Sequence, residues 1–556
     1  MIKKTKNPKV FFISAEVAPF AKVGGLADVA GALPPALANL GVDISVMMPL
    51  YGNIKKIFKN KKLTAIECNE KKYLLENVVE NFTVEFDGKN EKINVYKADI
   101  VASVRTDENS KNSSLCHSVL DTESRSRSRV KRGMTQGNQA HDCNSVPIYF
   151  IDNKKYFGGK DIYHPPVKFL FFSKAVAEII ADNFRVDSSQ AVFKRGNAGG
   201  FAFVRPDIIH CNDNHTAFIS ALLKNEGLNI KTVLTIHNLQ FQGQFSTKKL
   251  KSLNILLNSS KHLEADSRDG DINKMAQGIL SSEVITTVSP TYAKEILTKQ
   301  CGEGLDNILK MRKNDLYGII NGIDVDKFNP ETDSFIKYNY SVKDLDGKRK
   351  NKEDLLKEYF GATVSQPLIG LISRLASQKG IDLVIDAIPQ MFKKYPNLFF
   401  ILLGTGNPEY ETKLKELGKK YPYNFKPLIK FDLKIAQRIY AGSDIFLMPS
   451  KFEPCGLGQL TAMRYGTVPI VRKTGGLADT VNELKVHKVV KSIKSANGFV
   501  FERYFTNAML KIIDYALEVY QNKKMWEKIM LNGMKRDSSW GRSAKEYLKI
   551  YKKLIK

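Results

Sequence analysis

The chain has 556 residues, of which 43% are hydrophobic and 26% charged, and a formal net charge of +27. The length predicts two or three globular domains, and the longest apolar runs are shorter than the roughly 18–20 residues of a membrane helix. The charge suits a nucleic acid or another polyanion, but the lysines are spread along the whole chain and no nucleic-acid-binding motif accompanies them. We therefore attribute the charge to solvated helix faces, and part of it suits an anionic substrate.

The N-terminus and the cysteines indicate a cytoplasmic protein. A short basic stretch precedes an apolar run that contains Glu16 and leads into a glycine loop, which predicts a first core strand rather than a signal peptide. The six cysteines are widely separated and form no CxxC pair. We therefore expect reduced thiols, no metal site and no cofactor.

The first 340 residues alternate between strand and helix patterns. A strand over residues 10–18, a helix over 26–40 and a strand over 42–49 form one βαβ unit, and we expect the helix to be interrupted at Pro34 and Pro35. A meander of short strands follows. Strand–helix pairs then resume near residue 146, which predicts a parallel sheet.

Two stretches interrupt this pattern. Residues 101–145 are rich in Ser, Arg and Asn with almost no apolar periodicity, and residues 188–203 form a second, shorter irregular segment, so we expect poorly ordered insertions in both. An arginine-rich run in the first stretch leaves an RNA-binding arm as a weaker alternative. Further along, residues 343–357 are highly charged and predict a linker.

A second series of strands and helices begins at residue 367. The sequence therefore predicts an α/β fold of two successive domains with parallel sheets. We place the N-terminal domain at 1–340, the C-terminal domain at 345–530 and a final helix at 531–556. Loops that follow parallel strands commonly bind ligands, and we interpret residues 441–480 as half of an active site for a nucleotide sugar.

One eight-residue sequence occurs twice, once in each predicted domain. KVGGLADV, from Lys22, and KTGGLADT, from Lys473, agree at six of eight positions. Paired glycines allow the backbone to approach a ligand closely, amides at a helix N-terminus attract anions, and the lysine adds a positive charge. Two copies on facing sides of a cleft favour ligand binding over two ordinary tight turns.

Two loops after predicted strands of the second domain carry charged side chains. Arg374 and Lys379 lie on one turn, where two cations would neutralise a diphosphate; a pair of solvated surface cations is the alternative. Glu453 lies on the other loop and would accept hydrogen bonds from sugar hydroxyls or act as a nucleophile, with a plain surface glutamate as the alternative. Cys455 has no neighbouring histidine in the sequence, so we assign it a packing role.

Two loops of the first domain carry histidines. HCNDNH, residues 210–215, and TIHN, residues 235–238, each follow an apolar strand. Any one of these histidines would usually be a buried structural residue, but three of them with Asp213 at adjacent strand ends predict a polar site. The spacing is not that of a zinc-binding helix, so a metal is disfavoured.

Ten stretches, in register over nearly the whole chain outside the two insertions, point to one family. They include KVGGLADVAGALPPAL, PDIIHCNDNHTA, TIHNLQFQGQF, SRLASQKGIDLV and SKFEPCGLGQLTAMRYGTVPIVRKTGGLADTV. In this order they resemble bacterial glycogen synthases and plant starch synthases. The resemblance implies a GT-B fold, with two Rossmann-like domains around a deep cleft and a last helix that crosses back to the first domain. It also implies retaining, metal-independent transfer of glucose from ADP-glucose to the non-reducing end of an α-1,4-glucan.

The resemblance assigns roles to individual residues. It implies diphosphate binding by Arg374 and Lys379, and glucosyl binding by Glu453. The residues expected to act in catalysis are Arg374, Lys379, Glu453, His237 and Asp213. The residues expected to bind substrate are Lys22, Gly24, Gly25, Asp28, Asn238, Phe431, Cys455, Gly456, Leu457, Gly475 and Gly476. Phe431 replaces a tyrosine common in the family, and its ring would still cover an adenine face.

Three positions depart from the family pattern. Asn214 replaces a tryptophan on the acceptor side, the sequence YFGG that ends at Gly159 lacks an arginine, and the helix near Lys274 lacks a lysine before its glycine. These departures leave a catalytically weakened glucan-binding homologue as one alternative. Another GT-B transferase, using UDP-glucose or a different acceptor, is a second alternative. An NAD-dependent dehydrogenase is disfavoured because no GxGxxG motif follows a strand.

Overall fold

The structure is a computed structural model that describes residues 7–101, 145–185, 205–255, 261–363, 366–485 and 489–556. The insertion predicted at 188–203 lies outside these ranges, as does the insertion predicted at 101–145 apart from its two end residues. Val101 and Ser145 are partners on adjacent antiparallel strands. Within the described ranges, no helix combines the length and the apolar character that crossing a membrane requires.

The strands and helices of the described residues follow the alternation that the sequence predicts. The strands are β1 (Lys9–Ile13), β2 (Asp43–Pro49), β3 (Lys55–Lys59), β4 (Lys62–Cys68), β5 (Lys71–Leu74), β6 (Glu76–Phe86), β7 (Lys89–Val101), β8 (Ser145–Asp152), β9 (Ile208–Asn212), β10 (Lys231–Ile236), β11 (Gln244–Ser246), β12 (Asp271–Asn273), β13 (Val284–Thr287), β14 (Leu316–Gly318), β15 (Leu368–Ile372), β16 (Phe399–Leu403), β17 (Phe425–Leu428), β18 (Ile445–Met448), β19 (Val468–Arg472) and β20 (Phe499–Phe501). The α-helices are α1 (Gly25–Ala38), α2 (Lys154–Phe157), α3 (Val167–Arg185), α4 (Asp213–Asn225), α5 (Lys261–Asp266), α6 (Lys274–Ser281), α7 (Pro290–Glu295), α8 (Asp306–Met311), α9 (Asp346–Phe360), α10 (Ile381–Lys394), α11 (Pro408–Lys420), α12 (Leu433–Gly442), α13 (Gly458–Arg464), α14 (Gly475–Thr480), α15 (Val489–Ser492), α16 (Thr506–Gln521), α17 (Lys523–Met534) and α18 (Trp540–Leu554).

The first large sheet has the strand order β14-β13-β10-β9-β1-β2-β8-β7-β6 in the described part of the chain. Its strands are parallel except for β7, which pairs antiparallel with both of its neighbours. Strand β1 lies between β2 and β9. The strand that follows it in the chain lies on one side of β1 and a later strand lies on the other side, so the strand order reverses at β1. Such a switch point opens a crevice at the carboxyl ends of the two central strands, here β1 and β9.

The apolar residues of β1 face two different cores because successive side chains of a strand point to opposite sides. Phe11 and Ile13 pack with helices α3, α4 and α6. Val10 and Phe12 pack with α1 and with the last helix, α18. Coverage on both faces explains why this strand is a continuous apolar run, as expected for a parallel sheet.

The second large sheet has the order β17-β16-β15-β18-β19-β20, again in the described residues. All of its pairings are parallel. Its switch point lies between β15 and β18, and it is flanked by helices that include α10 and α16. The two parallel sheets confirm the predicted α/β class, and each contributes one crevice.

The final helix packs on the first sheet rather than the second. Trp540, Ala544 and Tyr547 are buried in the core that contains Val10, and the Tyr551 hydroxyl lies 2.6 Å from Nδ1 of His210. The helix thus ties the C-terminus to the first sheet. The domain boundaries at residues 340 and 530 stay a prediction.

Helix α1 is not interrupted, so the predicted break at Pro34 and Pro35 is wrong. Both prolines lie inside the continuous helix and both are buried. Proline removes backbone hydrogen bonds to the preceding turn. Helices in proteins gain most of their stability from tertiary packing, and the packing of this helix against the first sheet offsets the lost bonds.

The predicted linker at 343–357 is also wrong, because most of it belongs to helix α9. The Lys348 ammonium is buried and donates to the carbonyls of Ala441 and Ser443 and to the Thr467 hydroxyl, at 3.1, 3.0 and 2.9 Å. Lys352 forms an ion pair with Asp444 at 2.7 Å. The charges that suggested a solvated linker therefore hold the helix against the second sheet.

Candidate active site

The switch point of the second sheet is bridged by an ion pair. Lys379 follows β15 on a short 3-10 turn, and Glu453 follows β18. The Lys379 ammonium lies 2.6 Å from Oε2 of Glu453, and the two side chains are 18% and 7% exposed. The Ser450 hydroxyl donates to the same oxygen at 3.0 Å. The structure thus brings together two side chains, 74 residues apart, that the sequence places at separate strand ends.

Arg374 precedes this turn in the same loop, and the residue is exposed. Its guanidinium approaches the Gln378 carboxamide at 3.4 Å, which is at the long end for a hydrogen bond, so it is held only weakly. Phe431 follows β17 at the same edge of the sheet and is 79% exposed. This edge therefore presents a cation and an aromatic ring to a ligand.

The loops after β18 and β19 touch through their backbones. The Gly476 N–H donates to the Glu453 carbonyl at 3.1 Å. A Cβ on Gly475 would lie 2.0 Å from that carbonyl oxygen, and one on Gly476 would lie 2.1 Å from the Cys455 oxygen. Gly475 also has a φ of +43°, a region that glycine adopts most readily. The paired glycines thus serve close packing of two loops.

Cys455 and Gly456 lie inside this loop contact. Burial raises the pKa of the Cys455 thiol to about 12, so the thiol stays protonated near neutral pH and is a poor nucleophile. Gly456 has a φ of +73°. Leu457 lies beyond it, and its side chain would be 3.8 Å from a Cβ on Gly25. The two copies of the glycine motif thus lie on walls that meet at this point.

The first copy of the motif is organised by Glu16. Oε2 of Glu16 accepts hydrogen bonds from the Val23 and Gly24 amides at 2.5 and 3.0 Å, and burial raises the pKa of this carboxyl. Lys22 pairs with Asp28 at 2.5 Å. In the sequence alone, Glu16 speaks only against a signal peptide. Glu16 falls inside the strand predicted at 10–18, whereas the observed strand ends at Ile13, which leaves Glu16 in the loop that follows.

Asp213 begins α4 at the carboxyl end of β9, with a φ of +56°. Its Oδ1 accepts hydrogen bonds from the backbone amides of His237 and Asn238 at 2.7 and 3.3 Å. Burial raises the pKa of Asp213 to about 7, and the charge of Glu16 adds to the shift. Backbone strain of this kind is concentrated at functional sites, and here it places a carboxyl group at the first switch point.

The hydrogen bonds of His237 define its tautomer. Nδ2 of Asn212 donates to the Ile13 carbonyl at 3.0 Å, so Oδ1 of Asn212 is the atom that faces Nε2 of His237, at 2.9 Å. Nε2 must therefore carry the proton. Burial lowers the pKa of His237 to about 3, which keeps the ring neutral and leaves Nδ1 as an acceptor.

The other two histidines of these loops have different surroundings. His210 is fully buried between the Tyr551 and Thr235 hydroxyls and is structural. His215 packs its ring against Tyr163 and Phe169, with centroids 5.1 and 4.6 Å away. Of the predicted group, Asp213 and His237 are therefore brought together, whereas His210 lies beneath the sheet edge.

The positions that depart from the family pattern lie in two places. Asn214 donates to the Phe241 carbonyl at 3.1 Å and packs beside Gly243. Lys274 packs against the same glycine, is only 3% exposed, and forms no hydrogen bond or ion pair with the described residues. A Cβ on Gly159 would meet no atom within 4 Å. Asparagine and lysine therefore occupy this part of the cleft wall.

Comparisons with known proteins agree with this architecture. A family model described as "Starch synthase catalytic domain" matches residues 9–125 and 105–311, and one described as "Glycosyl transferases group 1" matches 353–531. The chain is 38% identical over 559 residues to a glycogen synthase of Thermosipho melanesiensis, covering 98% of this chain and 99% of that protein. The chain belongs to the glycogen and starch synthase family. Its fold and glycosyltransferase motifs are those expected of a glycogen or starch synthase.

Other relatives of this synthase cover it equally well. A glycogen synthase of Thermotoga maritima is 38% identical over 98% of this chain and 99% of its own length. A glycogen synthase of Lactobacillus acidophilus is 38% identical over 98% and 100%. The catalytic domain of starch synthase IV from Arabidopsis thaliana, solved bound to ADP and acarbose, matches with a TM-score of 0.77 and 29% identity, over 99% of this chain and 100% of that chain. These matches confirm the family and the GT-B fold that the motifs imply.

Proposed function

We propose that this synthase transfers glucose from ADP-glucose to the non-reducing end of an α-1,4-glucan, with retention of the anomeric configuration. The observation that carries the proposal is the ion pair of Lys379 and Glu453 at the switch point of the second sheet. A cation for the diphosphate and a carboxylate for the sugar are there in direct contact. The ADP and acarbose bound to the Arabidopsis structure support a nucleotide-sugar donor and a glucan acceptor.

The leaving diphosphate would be held by Arg374 and Lys379. Fixed positive charges stabilise negative charge that develops on a leaving group, and they act most strongly where water is excluded. Lys379 is largely buried and already ordered by Glu453, whereas the guanidinium of Arg374 is exposed and free to turn toward phosphate. These two cations supply the neutralisation that a metal ion provides in other enzymes, so we propose that none is required.

The glucosyl group would lie against the loop from Glu453 to Leu457. Oε2 of Glu453 already accepts hydrogen bonds from Lys379 and Ser450, and a carboxylate stabilised in this way is a weak nucleophile. This favours hydrogen bonding to sugar hydroxyls over double displacement. The acceptor hydroxyl would then attack the face from which the diphosphate departs, and its proton would pass to a diphosphate oxygen.

The first domain would complete the site. We propose that His237 and Asn238 contact the reacting sugar, with Nδ1 of His237 as the acceptor atom, and that Asp213 acts on the acceptor side. The donor would be approached from the first domain by Lys22, Asp28 and the amides near Gly24 and Gly25. Phe431 would cover the adenine. Positioning and electrostatics would supply most of the rate enhancement.

ADP release from ADP-glucose, measured with and without glycogen, tests this function. We expect primer-dependent ADP release and little turnover of UDP-glucose. Arg374→Ala and Lys379→Ala should each reduce turnover by orders of magnitude, since each removes a charge that balances the leaving group. Near-normal rates in both variants would refute the diphosphate assignment, and preference for UDP-glucose would refute the donor.

A further inference from the structure

The two copies of the glycine motif are capped by carboxylates from different origins. In the first copy, Glu16 of the same domain binds the Gly24 amide at 3.0 Å. In the second copy, the equivalent amide of Gly475 donates to the two oxygens of Glu295 at 3.0 and 3.2 Å. Glu295 is the last residue of α7, which follows β13 of the first sheet. The carboxylate of the second copy therefore comes from across the cleft.

A second contact runs in the opposite direction between the same two helices. The carboxylate of Asp479, in α14, accepts hydrogen bonds from the Thr291 amide at 2.8 Å and from its hydroxyl at 2.6 Å. The Thr474 hydroxyl also donates to Glu295, at 3.1 Å. Each helix thus contributes one carboxylate, which accepts hydrogen bonds from donors at the other helix. We call these four residues (Thr291, Glu295, Thr474 and Asp479), together with the Gly475 amide, the cross-cleft clamp.

The clamp reaches the sugar-binding loop through the backbone. Gly475 and Gly476 are in contact with the Glu453 and Cys455 carbonyls, with no room for a Cβ between them. A displacement of α14 must therefore move the loop that carries Glu453. Closely packed contacts of this kind transmit small shifts because they cannot deform continuously.

We propose that Glu295 and Thr291 are positioning residues that hold the second glycine motif in its donor-binding position only when the two domains are closed. This rests on the proposed function, because that function assigns the glucosyl group to the loop of Glu453, which the second glycine motif contacts. When the domains separate, the Gly475 amide and the Asp479 carboxylate lose their partners together. Domain closure and ordering of the donor loop then occur as one step.

The test compares Glu295→Ala with Lys294→Ala, the neighbouring exposed residue on the same helix. Loss of a charge-assisted hydrogen bond typically weakens an interaction about ten- to a hundredfold. We therefore expect the KM for ADP-glucose to rise by about that factor in Glu295→Ala, with a smaller change in the KM for glycogen. Small-angle scattering without nucleotide should give a larger radius of gyration for Glu295→Ala, and Lys294→Ala should match the wild type in both measurements.

Thr291→Val and Asp479→Asn, alone and together, give a second route if Glu295→Ala does not fold. Thr291→Val removes the hydroxyl donor and Asp479→Asn removes the negative charge of its acceptor, while the Thr291 amide stays in place. Both changes weaken the same contact, so their effects on the KM for ADP-glucose should be less than additive. Fully additive effects, or a Glu295→Ala variant indistinguishable from Lys294→Ala, would refute the clamp. Absence of turnover by the wild type would instead refute the donor assignment, and the scattering comparison would still decide the clamp.

Discussion

Substitution of single glycines in the two motif copies separates packing from ligand binding. In Gly476→Ala the new Cβ would lie 2.1 Å from the Cys455 carbonyl oxygen and 2.5 Å from its Cα, whereas non-bonded atoms normally approach to about 3.5 Å. One of the two backbones must move by more than about 1 Å, and overpacking of this kind costs about 1–3 kcal/mol. In Gly24→Ala the Cβ meets nothing within 4 Å, and the φ of −132° is accessible to alanine.

We therefore expect the two variants to differ in thermal stability but to share a loss of activity. In thermal unfolding, Gly476→Ala should lower the Tm by roughly 2–12 °C, taking 2–4 °C per kcal/mol for a domain of this size, while Gly24→Ala should leave it unchanged. In the ADP-release assay both variants should lose activity, because a methyl group on Gly24 would occupy the space into which the donor fits. Unchanged unfolding of Gly476→Ala, or full activity of Gly24→Ala, would refute the reasoning.

Three further predictions concern charged groups. Glu453→Gln should retain measurable activity if the carboxylate only binds hydroxyls, and a glucosyl-enzyme trapped on Glu453 and detected by mass spectrometry would contradict front-face transfer. Burial raises the pKa of Asp213 from 3.8 to about 7, so the folded form binds this proton more tightly and its stability falls as pH rises between those values. Asp213→Asn removes that cost, worth up to about 4 kcal/mol above pH 7, and the variant should gain Tm relative to wild type as pH is raised from 4 to 8; a pH-independent difference would contradict this. Lys274→Met should raise the Tm at pH 7 because it removes a buried ammonium whose partner is only the Phe169 ring, 5.9 Å from its centroid, and such a contact is weak. Lys348→Met should lower the Tm because three acceptors lose this donor; shifts of the same sign would show that burial alone governs both lysines.

The sequence predicts the second wall of the site well because its signals are local. Glu453 and Lys379 each follow an apolar strand, and parallel strands bring their carboxyl ends to one edge of a sheet. The pairing of the two side chains follows from the strand order, which places β15 beside β18. Once two Rossmann-like domains are assumed, the order of the strands is enough to predict that Lys379 and Glu453 lie close together.

The features that the sequence does not predict depend on contacts between residues far apart in the chain. Glu295 and Gly475 are separated by 180 residues, and no spacing or motif links a helix end in one domain to a glycine loop in the other. The error at residues 343–357 has a related cause. A lysine-rich segment suggests solvent exposure, but Lys348 finds three acceptors on the second sheet, which only the tertiary structure supplies.

The pairing of Val101 with Ser145 has a consequence for engineering. The described strands β7 and β8 thus end and begin at paired positions, so even a short connection could span the distance between them. Doubling a flexible loop adds only about 0.6 kcal/mol of closure entropy. A short turn, or a fluorescent domain with adjacent termini, should therefore connect β7 to β8 in register, which offers a port for reporters or immobilisation tags.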